Sequence, residues 1–152
     1  MHDILIRNGL IYDGSGQAPY RADLAIDGDV ITAIGRIDGR ARQEIDAGGL
    51  AVSPGFINMM CWANESLIHD GRSQSDIRQG VTLEILGEGF SMGPLNDALK
   101  TDMKERQGDI RYDVEWTTLR EYLEYLTRRG VSPNVASFVG AGGVRANVLG
   151  FA

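Results

Sequence analysis

Few residues of this 152-residue chain combine a reactive type with a suggestive position. The single cysteine, Cys61, ends the run Pro54-Gly55-Phe56-Ile57-Asn58-Met59-Met60-Cys61 before Trp62. Alternation along a strand points it away from the side shared by Met60 and Trp62, which makes it a buried, inert thiol. Glu88 sits in Gly87-Glu88-Gly89, a carboxylate that can bind zinc or simply be solvated. His69 is the only histidine in the body of the chain and has no second ligand at metal-binding spacing, so it reads as a surface or capping residue. Arg72 has the planar fork that grips a carboxylate, either a substrate's or a neighbour's on a helix surface. Gly140-Ala141-Gly142-Gly143 lacks the Lys-Ser/Thr ending and the spacing of a phosphate loop. Amide hydrolysis at neutral pH needs an activated water and a polarised carbonyl, which a metal beside a carboxylate supplies. For that chemistry these residues offer few donors.

The elements that would position them fall into two textures. Up to about Val52, short apolar runs cut by Gly and Asp predict a meander of β-strands: 4–6, 10–12, 24–26, 30–34 and 50–52. Asp27-Gly28-Asp29 supplies the hairpin turn between two of them. From Pro54 onward, the text alternates strand and helix. Residues 56–60 are apolar on both faces, as in a buried parallel strand. A helix over 73–78 ends at Gly80, and 81–86 is the second strand. Residues 91–110 hold a short helix near 96–106 and are polar enough to predict an exposed excursion. Trp116, Leu119, Tyr122, Leu123 and Leu126 recur at helical spacing, with Gly130 and Pro133 as the stop. The third strand is 134–139. Strand and helix in this order predict a parallel sheet with helical crossovers.

Composition sets the outer limits. A formal charge of -6 without a basic run disfavours nucleic acid as a partner. One cysteine excludes an internal disulfide framework. No signal core or membrane-length apolar run is visible, so the expectation is a soluble, cytoplasmic protein with a small-molecule substrate and no membrane partner. Oligomeric state is left open.

Taken together, the motifs resemble the N-acyl-D-amino-acid deacylases, or D-aminoacylases, of the metal-dependent amidohydrolase superfamily. The resemblance runs from Asp3-Ile4-Leu5-Ile6-Arg7-Asn8-Gly9 and Tyr12-Asp13-Gly14-Ser15-Gly16 through Pro54-Gly55-Phe56-Ile57. Its narrower marks are Gln79-Gly80-Val81-Thr82, Phe90-Ser91 and the stretch 134–150. It implies an α/β chain in which residues 1–53 are the N-terminal half of a small β-sandwich. Residues 54–152 would be the first three β/α units of an incomplete (β/α)8 TIM-type barrel. A closed barrel of that kind takes about 250 residues, so the chain is expected to be the front portion of a larger enzyme.

The same resemblance implies a divalent metal, zinc by preference, and hydrolysis of an N-acyl-D-amino acid or another non-peptide carbon–nitrogen bond. It also exposes departures. Met60 and Trp62 occupy the places of the family's His-x-His pair, and Ala141 occupies that of another histidine. Glu88 falls at, or one residue from, the cysteine that binds the tighter metal in the family, which makes it the metal ligand expected here. Arg72 and Arg145 are the expected substrate contacts, while the catalytic residues are expected beyond residue 152. The losses leave a second reading open: a metal-free relative that keeps the architecture as a binding or assembly module.

Overall fold

The computed structural model describes residues 1–151, and the chain divides into two compact units, the first running Met1–Pro54 and the second starting at Gly55. The first unit is one five-stranded sheet. Strand β1 (His2–Ile11) lies at its centre. It pairs antiparallel with β2 (Tyr20–Asp27), and β2 pairs antiparallel with β3 (Val30–Gly35). On the other side β4 (Ala41–Asp46) and the two-residue β5 (Ala51–Val52) both run parallel to β1. Leu5 and Ala25 are cross-strand partners, and both are fully buried. The β2–β3 turn is the expected one, with Gly28 at φ 62°, a backbone conformation that glycine adopts without strain.

Three expectations change in this unit. The apolar runs 4–6 and 10–12 belong to one strand, interrupted by a bulge where Asn8 takes φ 59°. The sheet is not a simple meander, because the chain passes from β3 to the far side of β1 and enters β4 parallel to it. Strand β4 was not expected at all. Its sequence Ala-Arg-Gln-Glu-Ile-Asp has almost no apolar alternation, since an exposed outer strand is held by main-chain pairing to β1 rather than by burial.

The second unit carries a three-stranded parallel sheet in the order β6 (Phe56–Asn58), β7 (Val81–Leu86), β8 (Asn134–Ser137). Between β6 and β7 come the short helices α1 (Ser66–His69) and α2 (Gln74–Ile77); between β7 and β8 come α3 (Asp97–Glu105) and α4 (Leu119–Arg129). Helix α5 (Ala141–Leu149) follows β8. The core gathers Leu67, Leu86, Leu95, Trp116, Tyr122 and Leu126. Trp116 is its centre: it packs at centroid distances of 5.1 Å from both Tyr122 and Tyr125, and its indole N–H donates to the Met92 carbonyl at 2.6 Å.

Here too the details differ from expectation. Strand β6 is only three residues long, and Phe56 and Ile57 are exposed rather than buried on both faces. Trp116 keeps the helical spacing but stands outside α4, because Thr118 and Glu121 form a capping box that starts the helix at Leu119. The excursion after β7 is not wholly exposed: Met92, Leu95 and Leu99 reach the core. Helix α5 was unforeseen, since three glycines in and before its first turn conceal it.

Candidate functional site

The C-terminal ends of β6, β7 and β8 converge in the second unit, and a ligand approaching a parallel α/β sheet meets it at that end. Beyond β6, the Cys61 N–H donates to the Ile85 carbonyl at 3.0 Å, so the chain still runs alongside β7 there. That pairing sets the direction of three consecutive side chains. Met60 and Trp62 are 63% and 74% exposed, whereas Cys61 between them is only 7% exposed.

Cys61 turns into the core, where its thiol donates to Glu84 Oε2 at 3.3 Å. Ser73 Oγ donates to Glu84 Oε1 at 2.6 Å. Glu84 is fully buried on β7. Burial, aided by the neighbouring Glu84 carboxylate, pushes the Cys61 thiol up to about 11. A thiol of that kind stays protonated at neutral pH and offers no thiolate to a metal. Ser73 adopts φ 43°, a rare conformation for a residue with a side chain, at the entrance to α2.

Glu88 lies on the turn after β7, between Gly87 at φ 83° and Gly89 at φ 75°, and its side chain is exposed. The turn is tied to the third unit of the sheet. Phe138 N–H donates to the Leu86 carbonyl at 2.8 Å, Gly142 N–H to the Gly89 carbonyl at 3.2 Å, and Gly140 N–H to Ser91 Oγ at 3.0 Å. These contacts leave no room for side chains. A Cβ on Gly87 would stand 2.2 Å from the Phe138 carbonyl oxygen, and one on Gly140 would stand 2.5 Å from the Gly89 carbonyl oxygen.

The two arginines lie on different elements. Arg72 follows α1, and its guanidinium grips Asp70 through two hydrogen bonds of 2.8 and 3.0 Å. That pairing holds the Asp70 carboxyl below its usual range. Arg145 is exposed on α5. His69 is exposed at the end of α1, and Ala141 opens α5.

The donor set can be tested against a metal directly. Among the described residues no three His, Cys, Asp or Glu side chains form a group that could hold an ion. Met60 and Trp62 face outward without a nitrogen or carboxylate donor, and Cys61 is committed to Glu84. Glu88 is the single carboxylate on the turn after β7. These residues by themselves do not fit a metal centre.

What the rim does contain is a cavity of about 370 Å3, bordered by Trp62, Asn64 and Glu65 after β6, by Phe90–Met92 after β7, and by α3. Sequence reasoning placed Asn64 in the loop after the first strand, where barrel enzymes put substrate contacts, but missed Glu84 and Tyr112. The signal for Glu84 was present, as a carboxylate on the apolar strand Val-Thr-Leu-Glu-Ile-Leu. Tyr112 carried none, since it lies in an irregular stretch far along the chain.

No protein-family model matches the chain. It is 34% identical over 152 residues to a D-aminoacylase of Alcaligenes xylosoxydans xylosoxydans, a match covering 97% of this chain and 31% of that protein. It is also 34% identical to an uncharacterised protein of Mycobacterium tuberculosis, over 98% of this chain and 26% of the other. A crystal structure of D-aminoacylase, described as defining a subset of amidohydrolases, superposes with a TM-score of 0.80 at 31% identity, covering 98% of this chain and 32% of its own. N-acyl-D-glutamate deacylase from Bordetella bronchiseptica, solved with zinc and a phosphonate inhibitor, superposes at 0.81 with 28% identity, over 97% of this chain and 31% of its own. A further D-aminoacylase structure concerns a binuclear metal centre with one-metal activation and second-metal attenuation. The chain spans between about a quarter and a third of the length of these relatives.

Proposed function

We propose, for a chain homologous in sequence and fold to the N-terminal third of the D-aminoacylase amidohydrolases, that the whole protein hydrolyses a carbon–nitrogen bond, most specifically the amide of an N-acyl-D-amino acid. The observation that carries this reading is the superposition of 98% of this chain on D-aminoacylase at a TM-score of 0.80 and 31% identity. In this reading residues 1–53 form part of a β-sandwich, and residues 54–152 open a (β/α)8 barrel.

A divalent metal, zinc in the first instance, would supply the activated water and the polarised carbonyl when bound. Glu88 would be the ligand contributed by this part of the protein, at the strand-end position where barrel enzymes place functional groups. The other ligands and the proton-transferring group would come from outside these residues. Arg145 would pair with the amino acid's carboxylate. Arg72 would do so only by exchanging Asp70 for the substrate, because both arms of its fork are already engaged.

The side chains at the rim favour a second reading as well. Met60, Trp62 and Ala141 suit a metal-free relative that binds or assembles without catalysis. Metal content of the full-length protein, measured by mass spectrometry beside hydrolysis of N-acyl-D-amino acids, separates the two. One tightly bound zinc, lost together with activity in Glu88→Ala, supports the hydrolase. No metal and no turnover in either protein supports the binding module.

A further inference from the structure

Glu84 is a buried carboxylate that neither reading above uses. It shares the inner face of β7 with Leu86, and the hydrogen bonds its two oxygens accept come from the uncharged Cys61 thiol and Ser73 hydroxyl. A buried carboxylate held by neutral donors costs stability that an apolar residue of similar volume would not, so the stability of the sheet does not account for it. What the two bonds do is join Cys61 and Ser73, the residues that flank segment 62–72 between β6 and α2. The middle of that segment is already held from α4 and its flanks. Tyr122 Oη donates to the Asn64 carbonyl at 2.8 Å, Tyr112 Oη to Glu65 Oε1 at 2.8 Å, Arg129 Nη2 to the Ile68 carbonyl at 3.1 Å and Ser132 N–H to the Gly71 carbonyl at 2.8 Å. Its two ends meet on Glu84.

We infer that Glu84 is a positioning residue, whose carboxylate clamps both ends of segment 62–72 and thereby sets where Trp62, Glu65 and Arg72 stand at the C-terminal rim of the sheet. On one side the bond from the Cys61 thiol keeps that residue turned inward, and alternation then keeps Trp62 turned outward. On the other side Ser73 is under load. Its φ of 43° is unfavourable for a residue with a Cβ, and the 2.6 Å bond to Glu84 holds it there. Losing either partner of that bond frees Ser73 to relax toward negative φ, which shifts Arg72 and the chain before it. The inference rests on the reading that this rim faces the substrate, and it adds a residue beneath the rim that determines the rim's shape.

The test compares the full-length wild type with Glu84→Leu, Ser73→Ala and Glu84→Gln by hydrogen–deuterium exchange and by hydrolysis of N-acetyl-D-alanine. In Glu84→Leu, which fills the site but accepts nothing, and in Ser73→Ala, which keeps a Cβ but donates nothing, the amides of residues 61–74 should exchange about tenfold faster, while β8 and α4 keep wild-type protection. Glu84→Gln still offers an oxygen to Ser73 and should stay within about threefold of the wild type. In the two loosened variants KM should rise about fivefold with kcat within about twofold, since a displaced rim weakens substrate contact more than chemistry whose groups lie elsewhere. Wild-type exchange over 61–74 in Ser73→Ala overturns the clamp, whether or not Glu84→Leu folds. Faster exchange spread evenly over the whole second unit also overturns it, because Glu84 would then be an ordinary core residue. Exchange is read without turnover: a wild type that hydrolyses nothing counts against the hydrolase, and the clamp then stands or falls on the exchange pattern alone.

Discussion

The thiol of Cys61 donates to the buried carboxylate of Glu84 at 3.3 Å, although the backbone positions on either side of Cys61 present Met60 and Trp62 outward. One residue of strand alternation thus separates a rim position from the core. The only cysteine of the chain is removed from metal chemistry by a hydrogen bond across to the neighbouring strand.

Cys61 should accordingly resist thiol reagents. Native protein at pH 7–8 is expected to leave it unmodified over hours, and denaturant should expose it at once. The sign of the pH effect follows from its raised pKa. Below about 9, the ordinary thiol value, Cys61 is neutral in folded and unfolded chains alike; between about 9 and 11 only the unfolded chain ionises, so stability falls as pH rises through that window. Denaturation midpoints for the wild type and Cys61→Ala from pH 8 to 11 check this, and an equal slope in both would refute it.

At the low end of the pH scale Asp27 is the informative group. It accepts from His2 Nδ1 at 2.9 Å and from Thr32 Oγ1 at 2.7 Å, which holds its carboxyl down to about 2 against an ordinary 3.8. The folded state keeps the carboxylate that the unfolded state protonates, so this stabilisation is whole above pH 4 and fades as pH drops toward 2. Asp27→Asn should unfold earlier than the wild type at neutral pH and should lose less stability on acidification from pH 4 to 2. Thermal unfolding across that range measures it.

Trp116 and Thr118 test the organisation of the second unit. Trp116→Ala empties a site that is 1% exposed and removes two tilted aromatic contacts, with an expected cost of about 3–5 kcal/mol. Thr118→Ala removes the cap of α4 and should cost about 1 kcal/mol. Urea titrations that ranked the two in the opposite order would contradict the assignment of Trp116 as the core centre.

The turn that carries Glu88 depends on glycine at a distance in sequence. Gly140→Ala drives a methyl to 2.5 Å from the Gly89 carbonyl oxygen and 2.7 Å from Phe90 Cα, both backbone atoms that cannot swing aside. The expected cost is about 1–3 kcal/mol. Hydrogen-exchange protection should be lost over residues 87–91. Gly108→Ala, where a methyl meets nothing within 4 Å, should behave like the wild type.

The strands 24–26 and 81–86 and the helices near 96–106 and 119–129 were legible because their apolar residues include the buried ones, whereas 30–34 was legible from its β-branched run although Val30, Ile31 and Ile34 are exposed. Strand β4 and helix α5 were not, since one is defined by pairing with β1 and the other begins with glycines packed on the 87–91 turn. At the site, the direction of Cys61 followed from alternation, and the exposure of Met60 and Trp62 from its complement. The Arg72–Asp70 grip was legible only as one of two alternatives, because sequence spacing does not say which carboxylate reaches the fork first.

By itself, the sequence determined the two-part organisation, the parallel order of strand and helix, and the absence of imidazole at positions 60 and 62, because local pattern and residue type are properties of short segments. Only the tertiary structure decided that Cys61 and Ser73 meet on Glu84, that Gly140 locks the turn of Glu88, and that Asn64 Oδ1 is buried without a hydrogen-bond partner among the described residues. Those facts depend on residues from separate elements arriving within a few ångströms of one another, and close packing, rather than any run of adjacent residues, sets which groups find partners.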